Sequence, residues 1–534
     1  MVFALSFLHF NIEEPSCLKN VSNALFFVLI VFALVLVATA IVTYRSLPEG
    51  ITRTASAWLA PDESSGDMAR AILAQNAGHP GLSGVYPFAN GRDAFLARLA
   101  LAEAADKSLD VQYYIWHNDT SGYLLLQALY RAAERGVRVR LLLDDNNTHG
   151  MDGLLRTLND HPNAEVRLYN PFMQRNHRLL GYLSDFFRLN RRMHNKSYSA
   201  DGVISIVGGR NVGDEYFGAG EGTMFLDMDV AVSGSVVPAI ETDFDRYWAS
   251  ESVWPLEAII AADTVAEPIA ATPRDDAATR AYLAQLKESD FATRLKNGSL
   301  EQSWSPARLL SDDPAKGLGK ARYEDTVIAH ITPYFAAARN NINIVSPYFV
   351  PTHKGSDALI EAAGQGRKIR ILTNSLAATD VAPVHAGYAK YRKALLAGGV
   401  ALYELKPDAE ANYRPHGKAG IGGSIAGSSG ASLHAKTFSI DGTQIFVGSF
   451  NMDPRSATLN TEMGILFDQP QLAALFDNTL GVHLPQESWQ VSLDDDGKLQ
   501  WQSQGETLHE EPQSSAFRRA LVSVFSWLPI ESLL

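Results

Sequence analysis

Apolar positions change period along this chain, and the changes come in a repeated order. Ala24 to Val42 is an uncharged apolar run, just long enough to cross a hydrocarbon core of ~30 Å as a helix. From Leu47 to about Gly84, proline, glycine, serine and other small residues surround one short helical pattern, and the stretch reads as a linker. The globular part begins near Tyr86. Asp93 to Glu103 has helical spacing, Leu109-Asp-Val-Gln-Tyr-Tyr-Ile-Trp reads as a strand, Gly122 to Arg135 is helical again, and Val137-Arg-Val-Arg-Leu-Leu-Leu-Asp is a second strand. Strands alternating with helices predict a largely parallel sheet covered on both faces.

The second half repeats the plan. Gly136-Val-Arg-Val-Arg-Leu-Leu-Leu-Asp is echoed by Gly366-Arg-Lys-Ile-Arg-Ile-Leu-Thr-Asn, and Leu109-Asp-Val-Gln-Tyr-Tyr by Ile342-Asn-Ile-Val-Ser-Pro-Tyr. Downstream, Val166-Arg-Leu-Tyr-Asn-Pro is echoed by Ala401-Leu-Tyr-Glu-Leu-Lys-Pro. One folding unit is used twice. The expected division is a tail at 1–23, a transmembrane anchor at 24–42, a linker at 46–84 and a first half at 85–255. A helical connector at 256–320, a second half at 321–470 and a C-terminal extension at 471–534 with an amphipathic tail helix complete it. A Gly/Ser-rich run, Gly417 to Ser432, leads into a strand; without the strand-loop-helix setting of a phosphate loop it reads as a mobile loop over the site.

Length and charge set outer bounds. At 534 residues the chain exceeds what one core usually organises, in keeping with two halves. A formal charge of −13 argues against indiscriminate nucleic-acid binding, so an anionic partner must meet a local basic site. The lone cysteine, Cys17, rules out an intrachain disulfide and a cysteine-rich zinc site. Ala38-Thr39-Ala40 has the small-x-small pattern of a processing site, so a cleaved signal peptide stands as the alternative to the anchor, although the apolar core is long for one.

Each half carries the same spaced set: His194-x-Lys196-x4-Asp201 and His434-x-Lys436-x4-Asp441. Alternate residues of a strand share a face, so each histidine projects beside its lysine. A glycine turn and a second apolar strand follow, ending in Gly208-Gly209-Arg210-Asn211 and Gly448-Ser449-Phe450-Asn451. One such triple is compatible with chance; two at the same place in a duplicated fold are not. Zinc is disfavoured, because a protonated lysine shares the face of each histidine and no ligand set completes the site. No metal and no cofactor are expected. Two imidazoles, two ammonium groups and two amides suit a phosphodiester: Lys196, Lys436, Asn211, Asn451 and the Ser449 hydroxyl can hold its oxygens. A neutral imidazole can attack phosphorus and a protonated one can donate to the leaving oxygen. Asp227 and Glu462 are the candidate carboxylates that orient the rings.

These paired motifs resemble those of the phospholipase D superfamily. Leu142-Leu-Asp-Asp-Asn-Asn, Asn190-Arg-Arg-Met-His-Asn-Lys-Ser, Leu310-Ser-Asp-Asp-Pro-Ala-Lys-Gly, Leu372-Thr-Asn-Ser-Leu-Ala-Ala and Val447-Gly-Ser-Phe-Asn-Met-Asp-Pro-Arg-Ser are similar to the bacterial cardiolipin synthase C-type subgroup. The similarity runs from about Tyr86 to the C-terminus. It implies an α/β architecture: a duplicated phospholipase D fold of two pseudo-twofold-related mixed sheets flanked by helices, with both motifs in one cleft. It implies a two-step transfer in which a phosphatidyl-histidine forms on His194, with His434 as acid and then base, and phosphatidylglycerol displaces it to give cardiolipin. Phosphatidylethanolamine or a second phosphatidylglycerol is the donor. A small accessory protein is an open partner, and the expected location is a bacterial inner membrane. A hydrolase releasing phosphatidic acid is the nearest rival, and a nuclease a distant one. Gly209 stands where the second half has Ser449, so phosphate contacts are expected to be asymmetric.

Two segments favour lipid over nucleic acid as partner. Ser515-Ala-Phe-Arg-Arg-Ala-Leu-Val-Ser-Val-Phe-Ser-Trp-Leu pairs two arginines with a broad apolar surface, as an interfacial helix does. Before the first motif, Arg175, His177, Arg178, Arg188, Arg191 and Arg192 are interleaved with Leu179, Leu180, Tyr182, Phe186 and Phe187, a pattern suited to anionic headgroups beside acyl chains.

Overall fold

The computed structural model describes residues 16–62, 66–88, 90–219, 224–270, 277–286, 291–296, 299–407 and 431–534. The Gly/Ser-rich run expected at 417–432 lies, as far as residue 430, outside them. The chain divides into a small unit, residues 1–47 with 172–190, and a large one, residues 48–171 with 191–534.

In the small unit a helix, Ser16–Thr43, packs against the short helix Arg178–Ser184. Gln174 donates to the Thr43 carbonyl at 2.6 Å. Along the long helix Phe27, Val28, Phe32, Leu34 and Ile41 are mostly exposed, and so are Leu179 and Phe187 in the basic-aromatic stretch. Among the described residues no helix is long and apolar enough to cross a membrane, so they lend the anchor expected at 24–42 no support.

The large unit is built on two sheets. In chain order the strands of the first half are β1 (Ser83–Phe88), β2 (Ser108–Ile115), β3 (Arg138–Asn147), β4 (Ala164–Tyr169), β5 (Ser197–Ala200), β6 (Ile204–Gly208), β7 (Met224–Leu226), β8 (Asp229–Gly234), β9 (Val253–Pro255) and β10 (Ser303–Ser305). Those of the second are β11 (Ala307–Ser311), β12 (Asn341–Val345), β13 (Lys368–Asn374), β14 (Ala401–Leu405), β15 (Ala431–Leu433), β16 (Lys436–Ile440), β17 (Gln444–Gly448), β18 (Met463–Phe467), β19 (Ser488–Leu493), β20 (Leu499–Ser503) and β21 (Glu506–Leu508). Among the described residues the first sheet contains the order β8-β6-β5-β2-β3-β4 and the second the order β18-β17-β16-β12-β13-β14. The order is the same, so the sequence echo is a structural duplication. In each sheet only the central three strands run parallel, β2-β3-β4 and β12-β13-β14, and antiparallel strands flank them. Each sheet is therefore mixed. Val207, Val230 and Val232 from the first sheet share one buried apolar cluster with Ile445, Val447 and Ile465 from the second, which joins the halves face to face.

Two regions differ from their sequence reading. The 256–320 connector does contain helices, Ala277–Leu286 and Phe291–Lys296, but it also supplies β10 and β11. These pair with β1 of the first sheet and β18 of the second, so the connector is an edge strand of both. Short strands flanked by serines leave too weak an alternation to be read from sequence. The 46–84 linker is pinned rather than free. Arg138, Arg140 and Arg167 reach out of the sheet to the carbonyls of Ala57, Ser56 and Thr54, and Trp58 donates its backbone N–H to Asp245. An extended segment that satisfies buried guanidinium groups has no periodic signature.

The two motif hairpins explain the aspartate of each motif. Asp201-Gly202 and Asp441-Gly442 all adopt positive φ, at 52°, 64°, 53° and 63°, as the reversal between β5 and β6 and between β16 and β17 requires. The Asp201 carboxylate, buried, accepts the backbone N–H groups of Asp106, Lys107 and Ser108. Asp441 does the same for Arg339, Asn340 and Asn341. Burial pushes the Asp441 carboxyl up, but these N–H donors outweigh it and hold its pKa below the usual carboxylate value. Replacing Asp201 by alanine strands three donors in a buried turn and is expected to lower the free energy of unfolding by about 2–4 kcal/mol. Denaturant titration checks this, with the half-buried Asp441→Ala predicted to lose less.

Candidate active site

Backbone pairing between the halves builds the site. Met193 forms a parallel bridge with Thr461, the His194 N–H donates to the Thr461 carbonyl at 2.8 Å, and the Thr461 N–H returns to Arg192. In the other direction β15 pairs in parallel with β7, and the His434 N–H donates to the Leu226 carbonyl at 2.8 Å. Each histidine therefore enters beside the residue that precedes the other half's carboxylate, Asp227 or Glu462. The result is a crossed arrangement: His194 Nδ1 lies 2.8 Å from Glu462 Oε2, and His434 Nδ1 lies 2.5 Å from Asp227 Oδ2.

The approach of His194 is fixed further by a salt bridge that sequence reading assigned differently. Arg192, expected among the lipid-facing arginines, is buried and bidentate on Asp144 at the end of β3, which also accepts the Met193 N–H. On the facing side Asp312 accepts the Glu462 N–H and the Lys316 ammonium, both at 2.7 Å. Neither pair stood out in the sequence beyond lying in motif segments. Asp144 and Arg192 lie far apart in the chain and leave no local signal, and Asp312 and Lys316, four residues apart, look like an ordinary surface pair until their burial is seen.

The tautomer of His194 follows from its partners. Its Nδ1 faces both Glu462 and the Ser449 carbonyl, 3.1 Å away, and a carbonyl only accepts, so Nδ1 carries the proton and Nε2 keeps its lone pair. Burial, then the charges of Lys196 and Lys436, push the His194 pKa well below its ordinary value, so the ring is neutral. His434 is also pulled down by burial and Lys436, to about 4, against the favourable charge of Asp227. Burial raises the Asp227 carboxyl, but His434 and Lys436 outweigh it and keep it ionised. Burial pushes Glu462 up to about 7, opposed by Lys196 and Ser449. The firmly anionic carboxylate thus backs His434, and the more easily protonated one backs His194.

Both lysines are buried, and each ammonium donates to the carbonyl of its own motif histidine. Burial pulls Lys196 down to about 7 and Lys436 to about 8, and the repulsion of Lys436 contributes at Lys196. A phosphodiester anion between the two would offset that repulsion. Aromatic rings wall the site: Tyr114 meets His194 edge-on at 5.1 Å, and Tyr216 and Phe225 meet His434 at 5.1 and 5.0 Å.

The remaining site candidates divide. Asn451 is buried, and its Oδ1 has no hydrogen-bond partner among the described residues. Asn211 is engaged: its amide donates to Tyr216 and its oxygen accepts the Ile115 N–H. Ser449 donates to Glu462 at 2.5 Å and accepts from Met463, so it holds a carboxylate rather than facing outward. Gly209 occupies the matching place because a Cβ there would sit 2.2 Å from Asp227 Oδ1. Serine with the longer glutamate and glycine with the close aspartate are thus paired choices. Asp201 and Asp441, expected with the catalytic set, are not brought to it; their carboxylates are consumed by the turn N–H groups at the far ends of β5 and β16.

The chain's relatives agree with this geometry. The family described as "Cardiolipin synthase, PLD-like domain" matches residues 99–248 and 331–482, one copy per half. Cardiolipin synthase C of Escherichia coli (strain K12) is 50% identical over 88% of this chain and 99% of its own length. Cardiolipin synthase A of Pseudomonas entomophila (strain L48) is 27% identical over 71% of this chain and 63% of its own. Among solved structures, phosphatidylserine synthase of Haemophilus influenzae Rd KW20 superposes with a TM-score of 0.54 at 14% identity, covering 88% of this chain and all of that one, which shows a shared fold. With both copies of the domain present and both histidines set against crossed carboxylates, this chain belongs to the cardiolipin synthase family of phospholipase D-like proteins.

Proposed function

We propose that this chain is a phosphatidyltransferase that makes cardiolipin through a phosphatidyl-histidine. The observation that carries the reading is the tautomer of His194. Its Nδ1 proton is held by Ser449 and Glu462, so the Nε2 lone pair is free to attack a phosphodiester placed between Lys196 and Lys436. A bond forms from Nε2 to phosphorus as the bond to the headgroup oxygen breaks, and His434, neutral at rest with its pKa at about 4 and taking up a proton once the phosphodiester anion joins ionised Asp227 beside it, gives that oxygen its proton. The free hydroxyl of phosphatidylglycerol then loses its proton to His434, attacks phosphorus and releases His194. Asn451 and the two lysines steady the charge that builds on the phosphoryl oxygens. Phosphatidylethanolamine and phosphatidylglycerol are the two donors of this reading, and both release an alcohol headgroup as the acid step requires. A small accessory protein is not needed to complete the residue set.

The chain's relation to cardiolipin synthases supports membrane attachment, and the uncharged apolar run of the sequence, Ala24 to Val42, is read as a single-pass anchor in a bacterial inner membrane. The helix Ala516–Trp527, with Phe517, Val524 and Trp527 exposed, supports a second, interfacial contact.

Purified protein in micelles of labelled phosphatidylglycerol, with and without phosphatidylethanolamine, is expected to yield cardiolipin. His194→Ala and His434→Ala should each lower the rate by a factor on the order of 10² or more. Phosphatidic acid as the only product would replace the transferase by a hydrolase. The pH dependence follows from the lysines. Both must be charged to receive the phosphodiester, and their pKa values lie at about 7 and about 8, so kcat/KM should fall as pH rises through that window. A profile of kcat/KM flat to pH 9 would count against the assigned role of the lysines.

A further inference from the structure

The loop between β13 and the helix Ala382–Ala389 carries a carboxylate that the reaction described above does not use. Asp380 is half-buried, and its Oδ2 accepts the Tyr348 hydroxyl at 2.8 Å. Among the described residues no lysine, arginine or histidine forms a contact ion pair with it, although Arg518 beneath the loop lies within electrostatic reach. The loop is held in place from below: Arg518 donates to the carbonyls of Ala377 and Thr379, and the Thr379 N–H bonds back to Ser375. Asp380 is therefore a fixed charge rather than a mobile surface group.

Its setting is the active site. Tyr348 is half-buried and lies within electrostatic reach of Tyr114 and Tyr216, the rings that flank His194 and His434, and Asn374 at the end of β13, where the loop begins, exchanges hydrogen bonds with the backbone of Leu433, the residue before His434. Asp380 acts in turn on Lys436 and Tyr216. The two halves differ here. In the first, the tyrosine near the end of β2, Tyr114, receives a neutral amide, the Asn146 Nδ2 at 3.4 Å. In the second, the tyrosine just past β12 meets a carboxylate. A negative charge beside a site for an anionic phosphodiester raises the cost of binding that anion, so its presence calls for a compensating attraction. A headgroup that donates hydrogen bonds supplies one. With the phosphate drawn to the lysines and repelled by Asp380, and the headgroup's donors drawn to Asp380, only one direction of the lipid is favoured.

We propose that Asp380, held by Tyr348, is the specificity-determining carboxylate that receives the hydrogen-bond donors of the lipid headgroup, and so selects hydroxylated or ammonium-bearing headgroups over donor-free ones. This rests on the transferase reading for the identity of the lipids. The shared chemistry is the donor group: the vicinal hydroxyls of glycerol and the ammonium of ethanolamine both have it, and the methyl group of phosphatidylmethanol does not.

The test measures headgroup release by the full chain in mixed micelles from phosphatidylglycerol, phosphatidylethanolamine and phosphatidylmethanol, and takes kcat/KM for each of the first two relative to the third. Asp380→Asn should lower at least one ratio tenfold or more, chiefly through KM, and Asp380→Glu should restore part of it. A fall with phosphatidylglycerol alone assigns the hydroxyls, a fall with phosphatidylethanolamine alone assigns the ammonium, and a fall in both assigns the donor group in general. Ratios within twofold of the wild type, with all three lipids losing alike or not at all, overturn the proposal. Should Asp380→Asn fail to fold, Tyr348→Phe, which unties the carboxylate but keeps its charge, is expected to lower the same ratios by a smaller factor, and unchanged ratios would overturn the proposal there too. Headgroup release is read without reference to the second step. Lack of cardiolipin would therefore sink the transferase reading and leave the ratios to decide on Asp380.

Discussion

Two ammonium groups buried within electrostatic reach of each other are the constraint around which this molecule is arranged. Lys196 and Lys436 are almost fully enclosed, and burial drags both toward neutrality, with the repulsion of Lys436 added at Lys196. A cation of this kind is tolerated only where fixed anions and carbonyls surround it. Asp227 and Glu462 are those anions, and each reaches the site from the half opposite the histidine it orients. Neither half is chemically complete alone. The shared apolar core of β6 and β8 with β17 and β18, together with the parallel pairing of Met193 with Thr461 and of β15 with β7, is what holds each carboxylate against the other half's histidine.

Duplication supplies a symmetric frame, and small departures from symmetry divide the labour. Gly209 admits Asp227 so closely that no side chain fits, and this carboxylate stays ionised behind His434. Ser449 holds the longer Glu462, whose raised pKa leaves less charge behind His194. A proton is thus kept more readily at His434 than at His194. That difference is what a nucleophile and a general acid made from the same motif require.

Much of this was legible in the sequence, and the reasons differ by residue. The two His-x-Lys sets and the echo of strands are local and periodic, so the duplication, the hairpin that follows each motif and the expectation that His194, Lys196, His434 and Lys436 share one site followed from the chain alone. Asp227 and Glu462 were found by their matching offsets, but their crossing was not, because a pairing between halves depends on backbone bridges such as Met193 with Thr461. Asp201 and Asp441 were grouped with the catalytic set by spacing; only the turn geometry shows them spent on backbone N–H groups. Arg192 looked like part of a basic surface until Asp144 closed on it, and the strap at 48–62 looked like linker until the arginines of β3 and β4 met its carbonyls.

The central claim is that one histidine of a near-symmetric pair is the nucleophile and the other the acid. The most direct measurement is a single turnover with a phosphatidyl donor whose leaving group needs no proton, quenched in alkali to preserve the phosphorus–nitrogen bond, with the modified peptide located by mass spectrometry. The account predicts a phosphatidyl group on His194, still formed in His434→Ala and absent in His194→Ala. A label on His434, formed in His194→Ala, would contradict it.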